Sequence, residues 1–231
     1  MSEATAVPVR RRARRGEGAA LRGDLLRAAM DLLRETGDED AVSLRAVAQR
    51  VGVSVPSIYL HFADKQALLD AVCEEVFEQL HVRLREAGAA GTDVFDALRR
   101  QGNAYVRFAL DNPEHYRIVL MKEHADGSSA PDVDMASGAF GYLVESVEAC
   151  VRAGVFEGEP AELALSLWAA AHGVAALLVA KPYFPWPDVE AYVDRTICMA
   201  GIGLAAGSRI RPDEELPVEE VVARLDRLRG S

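Results

Sequence analysis

The stretch SVPSIYLHF, residues 54–62, concentrates groups that bind anions: two serine hydroxyls, a phenol and an imidazole. Ser43 stands upstream of it and Lys65 just downstream. The side chains of Tyr59 and His61 can each donate to a phosphate oxygen. Serines at helix starts, as Ser43 and Ser54 are placed, leave backbone amides facing an outside anion. Lys65 falls in the first turn of a helix, where a positive charge opposes the helix dipole, so an external anion would account for it. A second set lies far along the chain. Trp168 and His172 are four residues apart and share a helix face, with Ala169 and Gly173 small enough to admit a neighbouring helix.

Catalysis fits these residues poorly. His61, His81, His115, His124 and His172 form no local metal set, and no Ser or Cys sits in a nucleophile turn. Cys73, Cys150 and Cys198 are far apart, odd in number and without metal-ligand spacing, so they are expected as buried thiols in a reducing cytoplasm. The expectation is a protein that is not an enzyme and needs neither metal nor cofactor.

The elements that must position these residues are helical. Ala, Leu, Val, Glu and Arg dominate, aromatics are few, and no hairpin signature, repeat or Gly-rich phosphate loop occurs. Residues 21–36 put Leu21, Leu25, Ala28, Ala29, Leu32 and Leu33 on one face, and Gly37 ends that helix. Ser43 caps a second helix, 44–50, with Leu44, Val47 and Ala48 inward. Gly52 suits a left-handed turn. Ser54 is expected to cap a third helix ending near Phe62, with Val53, Ile58 and Phe62 as its anchors. That leaves Ser54, Val55, Pro56, Ser57, Tyr59 and His61 outward or at the rim. Asp64 caps a fourth, longer helix. Three short helices with a glycine turn between the second and third make a helix-turn-helix.

Further on, 92–111, 135–153, 160–180 and 188–206 are expected as helices, 124–134 as a loop, and KPYFPWP (181–187) as a connection. PDEELPVEEVVARLDRLRGS could add a short C-terminal helix. The apolar run 163–180 approaches the length of a membrane span. Its alanines, Ser166 and His172, and the lack of basic flanks favour a fully buried helix instead. The first twenty residues lack the apolar core of a signal peptide.

The net charge of −10 argues against nucleic-acid binding until the chain is divided. Residues 1–65 carry 11 basic against 9 acidic side chains, and the remainder 15 against 27. Contact with DNA must therefore be confined to the front. RRRARR (10–15) is either a solvated leader or cloning remnant, or a basic arm that follows phosphates.

LLRAAMDLLRETGDEDAVSLRAVAQRVGVSVPSIYLHFADKQALLDAV, residues 25–72, resembles the DNA-binding domain of the TetR family of bacterial one-component regulators. FALDNPEHYRIVLM (108–121) and LWAAAHGVAALLV (167–179) resemble one subgroup of TetR-family C-terminal domains. The resemblance implies an all-α fold. A disordered basic tail (1–20) would precede a three-helix helix-turn-helix DNA-binding domain (21–66), followed by a helical ligand-binding and dimerisation domain (67–231). It implies phosphate contacts from Ser43, Ser54, Tyr59, His61 and Lys65, and base-edge contacts from Val55, Pro56 and Ser57, with Arg45 a further candidate. Apolar Val55 and Pro56 can meet thymine methyls but make no bidentate hydrogen bonds.

Tyr105, Phe108, Tyr116, Met121, Phe140, Trp168 and His172 are candidate lining of a ligand cavity; each alone is equally a core residue. The expected protein is a cytoplasmic, nucleoid-associated homodimeric repressor, paired through helices 160–180 and 188–206. It would sit on a near-palindromic DNA operator and be released by a small, largely apolar effector. The alternative is a helical protein-interaction module whose helix-turn-helix does not read DNA.

Overall fold

The computed structural model describes residues 17–121, 138–210 and 217–229. Among them no strand forms. The chain makes two compact units, Met1–Val72 and Cys73–Ser231. RRRARR and the expected loop at 124–134 lie outside the described residues.

The first unit starts with α1 (Glu17–Thr36), four residues ahead of the expected Leu21. Ala19 and Ala20 are of the strongest helix-forming type, so the helix extends upstream. Gly37, at φ 63°, closes it, its amide bonded to the Leu33 carbonyl at 2.8 Å. One 3₁₀ turn (Glu39–Ala41) leads to α2 (Leu44–Val51). Ser43 caps α2, its hydroxyl accepting from the Ala46 amide at 3.1 Å. Gly52 sits in the left-handed region at φ 77°, with its amide and that of Val53 both bonded to the Ala48 carbonyl. The regular part of α3 is only Val55–Ile58, shorter than expected. The amides of His61 and Phe62 both return to the Ile58 carbonyl, and this sharing tightens the chain into a turn before Phe62.

Leu25, Ala29, Leu33, Val42, Val47, Ile58, Phe62 and Leu68 form the buried interior of this unit. Arg50 ties α2 to α1 through both carboxylate oxygens of Glu35, at 2.6 and 2.9 Å, and holds that carboxyl below its ordinary range. The Arg22 guanidinium lies over the Phe62 ring, 5.1 Å from its centre. α4 (Lys65–Ala89) is capped by Asp64, which accepts from the Ala67 amide at 2.8 Å; its residues belong to both units.

The second unit is built on α5 (Val94–Asp111), which packs against α6 (Pro113–Leu120), α7 (Ala139–Arg152), α8 (Pro160–Ala180) and α9 (Val189–Ile210). α10 (Val218–Arg229) follows and touches α9. Asp93 caps α5 by accepting from the amides of Phe95 and Asp96. Asp96 in turn pairs with Arg99 and Arg100, which hold its carboxyl far below the usual range. Arg99 reaches Asp194 and Arg107 reaches Glu190, fastening α5 to α9. Two glycines let these helices close up: a Cβ on Gly102 would meet Ile197 Cγ2 at 2.6 Å, and one on Gly201 would meet the Phe95 ring at 3.0 Å.

α8 departs from expectation. It is long and apolar enough to cross a membrane, yet only 33% of its most apolar window is buried. Ala164, Ala171, Val174, Ala175, Leu178 and Val179 face α5, α7 and α9. Leu165, Ala169, Gly173 and Leu177 line the opposite face at four-residue intervals and are exposed, the two leucines by 50% and 51%. The helix is apolar all round, and these neighbours cover only one side of it.

Candidate nucleic-acid interface and ligand cavity

The rim of the first unit presents much of the expected anion-binding set. Arg45, Ser54 and Pro56 are exposed, and Ser43, Val55 and His61 are half-buried. Tyr59 is 56% exposed. Lys65 is half-buried and paired with Asp40 at 3.3 Å, so a phosphate there competes with a highly exposed carboxylate. Ser54 takes the cap position of α3 but makes no cap bond; its hydroxyl bonds that of Ser57 at 2.8 Å instead.

Ser57 differs most from expectation. It is 5% exposed and turned inward beside Ile58, because its i,i+3 spacing from Ser54 brings the two hydroxyls together. Base contact from Ser57 would require that bond to open. Leu60 is the reverse case. It is 76% exposed, although a leucine between Ile58 and Phe62 has the look of core in the sequence. Only the turn after Ile58 brings it out, and helical periodicity does not signal that turn.

In the second unit a cavity of about 70 Å³ lies among α4, α5, α7, α8 and α9. Of the seven candidate lining residues, Tyr105, Phe140 and Trp168 line it. Phe108, Tyr116, Met121 and His172 do not. Phe108 is fully packed on the interior side of α5, and Met121 is 45% exposed at the end of α6. Tyr116 and His172 belong to a polar network beside the wall. Tyr105 and Tyr116 each bring a hydroxyl to 2.9 Å from His172 Nδ1, and the Trp168 indole N–H donates to the Tyr105 hydroxyl at 3.3 Å. Tyr116 also donates to the His172 carbonyl at 3.3 Å.

Burial raises the pKa of both tyrosines, with Tyr105 adding to the effect on Tyr116, so both stay protonated. Burial lowers that of His172, which favours the neutral imidazole. The rest of the wall includes Leu80, Leu84, Leu98, Gln101, Leu143 and Ile197. Their apolar members carry no sequence mark that separates them from ordinary core.

Cys73 and Cys150 are buried and Cys198 half-buried, all as free thiols, and burial pushes the Cys150 thiol up to about 11. Among the described residues no three His, Cys, Asp or Glu side chains gather as a metal site.

A short helix-turn-helix unit joined to a helical, cavity-bearing unit is the architecture of one-component regulators. Residues 25–72 match the family pattern described as bacterial regulatory proteins, tetR family, and residues 98–200 match the tetracyclin repressor-like C-terminal domain. The chain belongs to the TetR family of transcriptional regulators, which are not enzymes. It is 29% identical over 130 residues to the class A tetracycline repressor from transposon 1721 of Escherichia coli, covering 53% of each chain. It is 40% identical over 107 residues to the class D repressor of Escherichia coli, covering 46% of this chain and 42% of that one. The chain thus spans about half the length of these relatives. A solved structure of a protein of unknown function from Rhodococcus sp. RHA1 is 31% identical, with a TM-score of 0.71. The match covers 80% of this chain and 95% of that one.

The network around His172 predicts a pH effect on stability. The folded state holds the imidazole neutral, so the unfolded chain binds more protons between the lowered pKa and the ordinary value of 6.5. The stabilisation is complete above 6.5 and is lost as the pH falls through the folded value. Thermal melting from about pH 8 to about pH 5 should show this loss, and His172→Gln should flatten it. A loss of the same size in the variant would assign the effect to another group.

Proposed function

We propose that the protein is a homodimeric transcriptional repressor that binds a near-palindromic operator and releases it when a small, largely apolar ligand enters the second unit. The observation that carries this reading is the exposed rim of the first unit. Ser43, Ser54, Tyr59, His61 and Lys65 are the phosphate-contacting groups; Arg45, Val55 and Pro56 face base edges, with Leu60 as an additional apolar contact. Ser57 supports α3 through Ser54 and takes part in base contact only if that bond opens. DNA reading is assigned to residues 21–66, and ligand binding and dimerisation to 67–231. The protein works in the cytoplasm, at the nucleoid. The tetracycline repressors among its relatives are repressors by name, which favours repression over activation.

The bare face of α8 supports pairing. Leu165, Ala169, Gly173 and Leu177 on α8, with Met199, Ile202 and Gly203 exposed on α9, offer small and apolar residues to a two-fold mate. Four helices would then share one interface. The pair of reading helices must stand about one DNA turn apart, roughly 34–36 Å or a related spacing, to enter successive major grooves.

Cavity size supplies the switch. Ligand sites commonly enclose roughly 300–1,000 Å³, whereas this cavity holds about 70 Å³. A ligand must therefore select a state with wider walls. Leu80 and Leu84 of α4 are among those walls, and α4 begins at Lys65 in the reading unit. Weakening DNA binding 100-fold requires about 2.7 kcal/mol of preference for the widened state.

The reading is tested by exposing the protein to a random duplex library at moderate salt and sequencing what it retains. A near-palindrome is expected. Sequence-blind binding, or none, would favour an interaction module with a non-reading helix-turn-helix. For the interface, Leu177→Glu places a charge in the apolar face. Sedimentation should show a dimer in the wild type and a monomer in the variant, and a monomeric wild type at micromolar concentration would end the dimer proposal.

A further inference from the structure

Gln101 is the side chain that the foregoing leaves unexplained. It lies on α5, is 3% exposed, and lines the cavity. Its amide nitrogen donates to the Ser146 hydroxyl at 2.9 Å. Ser146 gives its own proton to the Tyr142 carbonyl, also at 2.9 Å, so towards Gln101 it can only accept. This settles which end of the amide faces α7. The other end, Oε1, is buried and has no hydrogen-bond partner among the described residues. An amide oxygen removed from water without a donor is destabilising, and a fold retains one where something else supplies the donor.

The remaining polar side chains of the wall are engaged. The Tyr105 hydroxyl meets His172 and the Trp168 indole, and Arg99 is paired with Asp96 and Asp194. Gln101 Oε1 is thus the uncommitted side-chain acceptor among the lining residues. A buried water settles where two to four polar groups converge, and the other polar side chains of this wall already have partners. An organic molecule with an apolar body and a single donor suits the site better.

Resting on the reading of this cavity as the effector site, we propose that it takes a small neutral ligand bearing one hydroxyl or N–H that donates to Gln101 Oε1. The ligand's apolar body lies among Leu84, Phe95, Leu143 and the Phe140 and Trp168 rings. The aromatic edges favour a ring. Carboxylates and phosphates are excluded as the buried group, since they bring acceptors to an acceptor and charge to an apolar wall.

Phenol and toluene test this, because they share shape and differ in the donor. Each is titrated into the full chain, wild type and Gln101→Leu, with binding followed by amide chemical shifts. The preference for phenol over toluene should fall about five- to tenfold in the variant, the value of one neutral hydrogen bond. If both molecules bind and the ratio is unchanged, the role of Gln101 is overturned while the cavity reading stands. If neither binds the wild type, the cavity reading falls and takes this inference with it. Should Gln101→Leu not fold, the wild type answers through nuclear Overhauser contacts between phenol and the Gln101 side-chain amide. Contacts elsewhere in the cavity with none to that amide would overturn the proposal.

Discussion

The second unit depends on one helix that is too apolar for the chain around it. α8 buries small residues against α5, α7 and α9, and this allows close approach. Its other side is apolar as well, with Leu165, Ala169, Gly173 and Leu177 left in water. Exposed apolar residues scattered singly need no explanation, but a stripe at four-residue spacing along a helix does. In the proposed dimer a second copy would cover this stripe with its own, since a two-fold interface presents the same patch from both protomers. α9 packs beside α8, fastened to α5 by Arg99–Asp194 and Arg107–Glu190 and brought near α5 by Gly102.

Inside this packing the polar atoms are few and almost all accounted for. Two tyrosine hydroxyls meet at one ring nitrogen of His172, whose burial favours the neutral imidazole. Trp168 and Tyr105 carry the network to the cavity wall. The cavity is small, with leucines and aromatic rings around it, so the proposed effector would have to move its walls to enter.

Much of the first unit is legible in the sequence because its signals are local. Ser43 and Asp64 cap their helices as their types suggest, and Gly52 takes the left-handed turn. Ser57 and Leu60 are not legible, since their orientation follows from a hydroxyl pair and a tight turn rather than from periodicity. In the second unit, hydropathy identified 163–180 as a helix but not which side of it lacks a neighbour. Tyr105, Phe140 and Trp168, three of the seven lining candidates, stand on the wall of this cavity. Tyr116 and His172 form the network beside it, with their polar groups bonded to one another. Gln101 carried no sequence signal: a glutamine on an amphipathic helix is ordinarily solvated, and only its burial shows otherwise.

The central claim is that two copies of this chain act together on one stretch of DNA. Native mass spectrometry of the protein with a duplex recovered from library selection tests it most directly. The account predicts complexes of two protomers, or a multiple of two, per duplex, with no significant population holding one. A dominant complex of one protomer per duplex would contradict it.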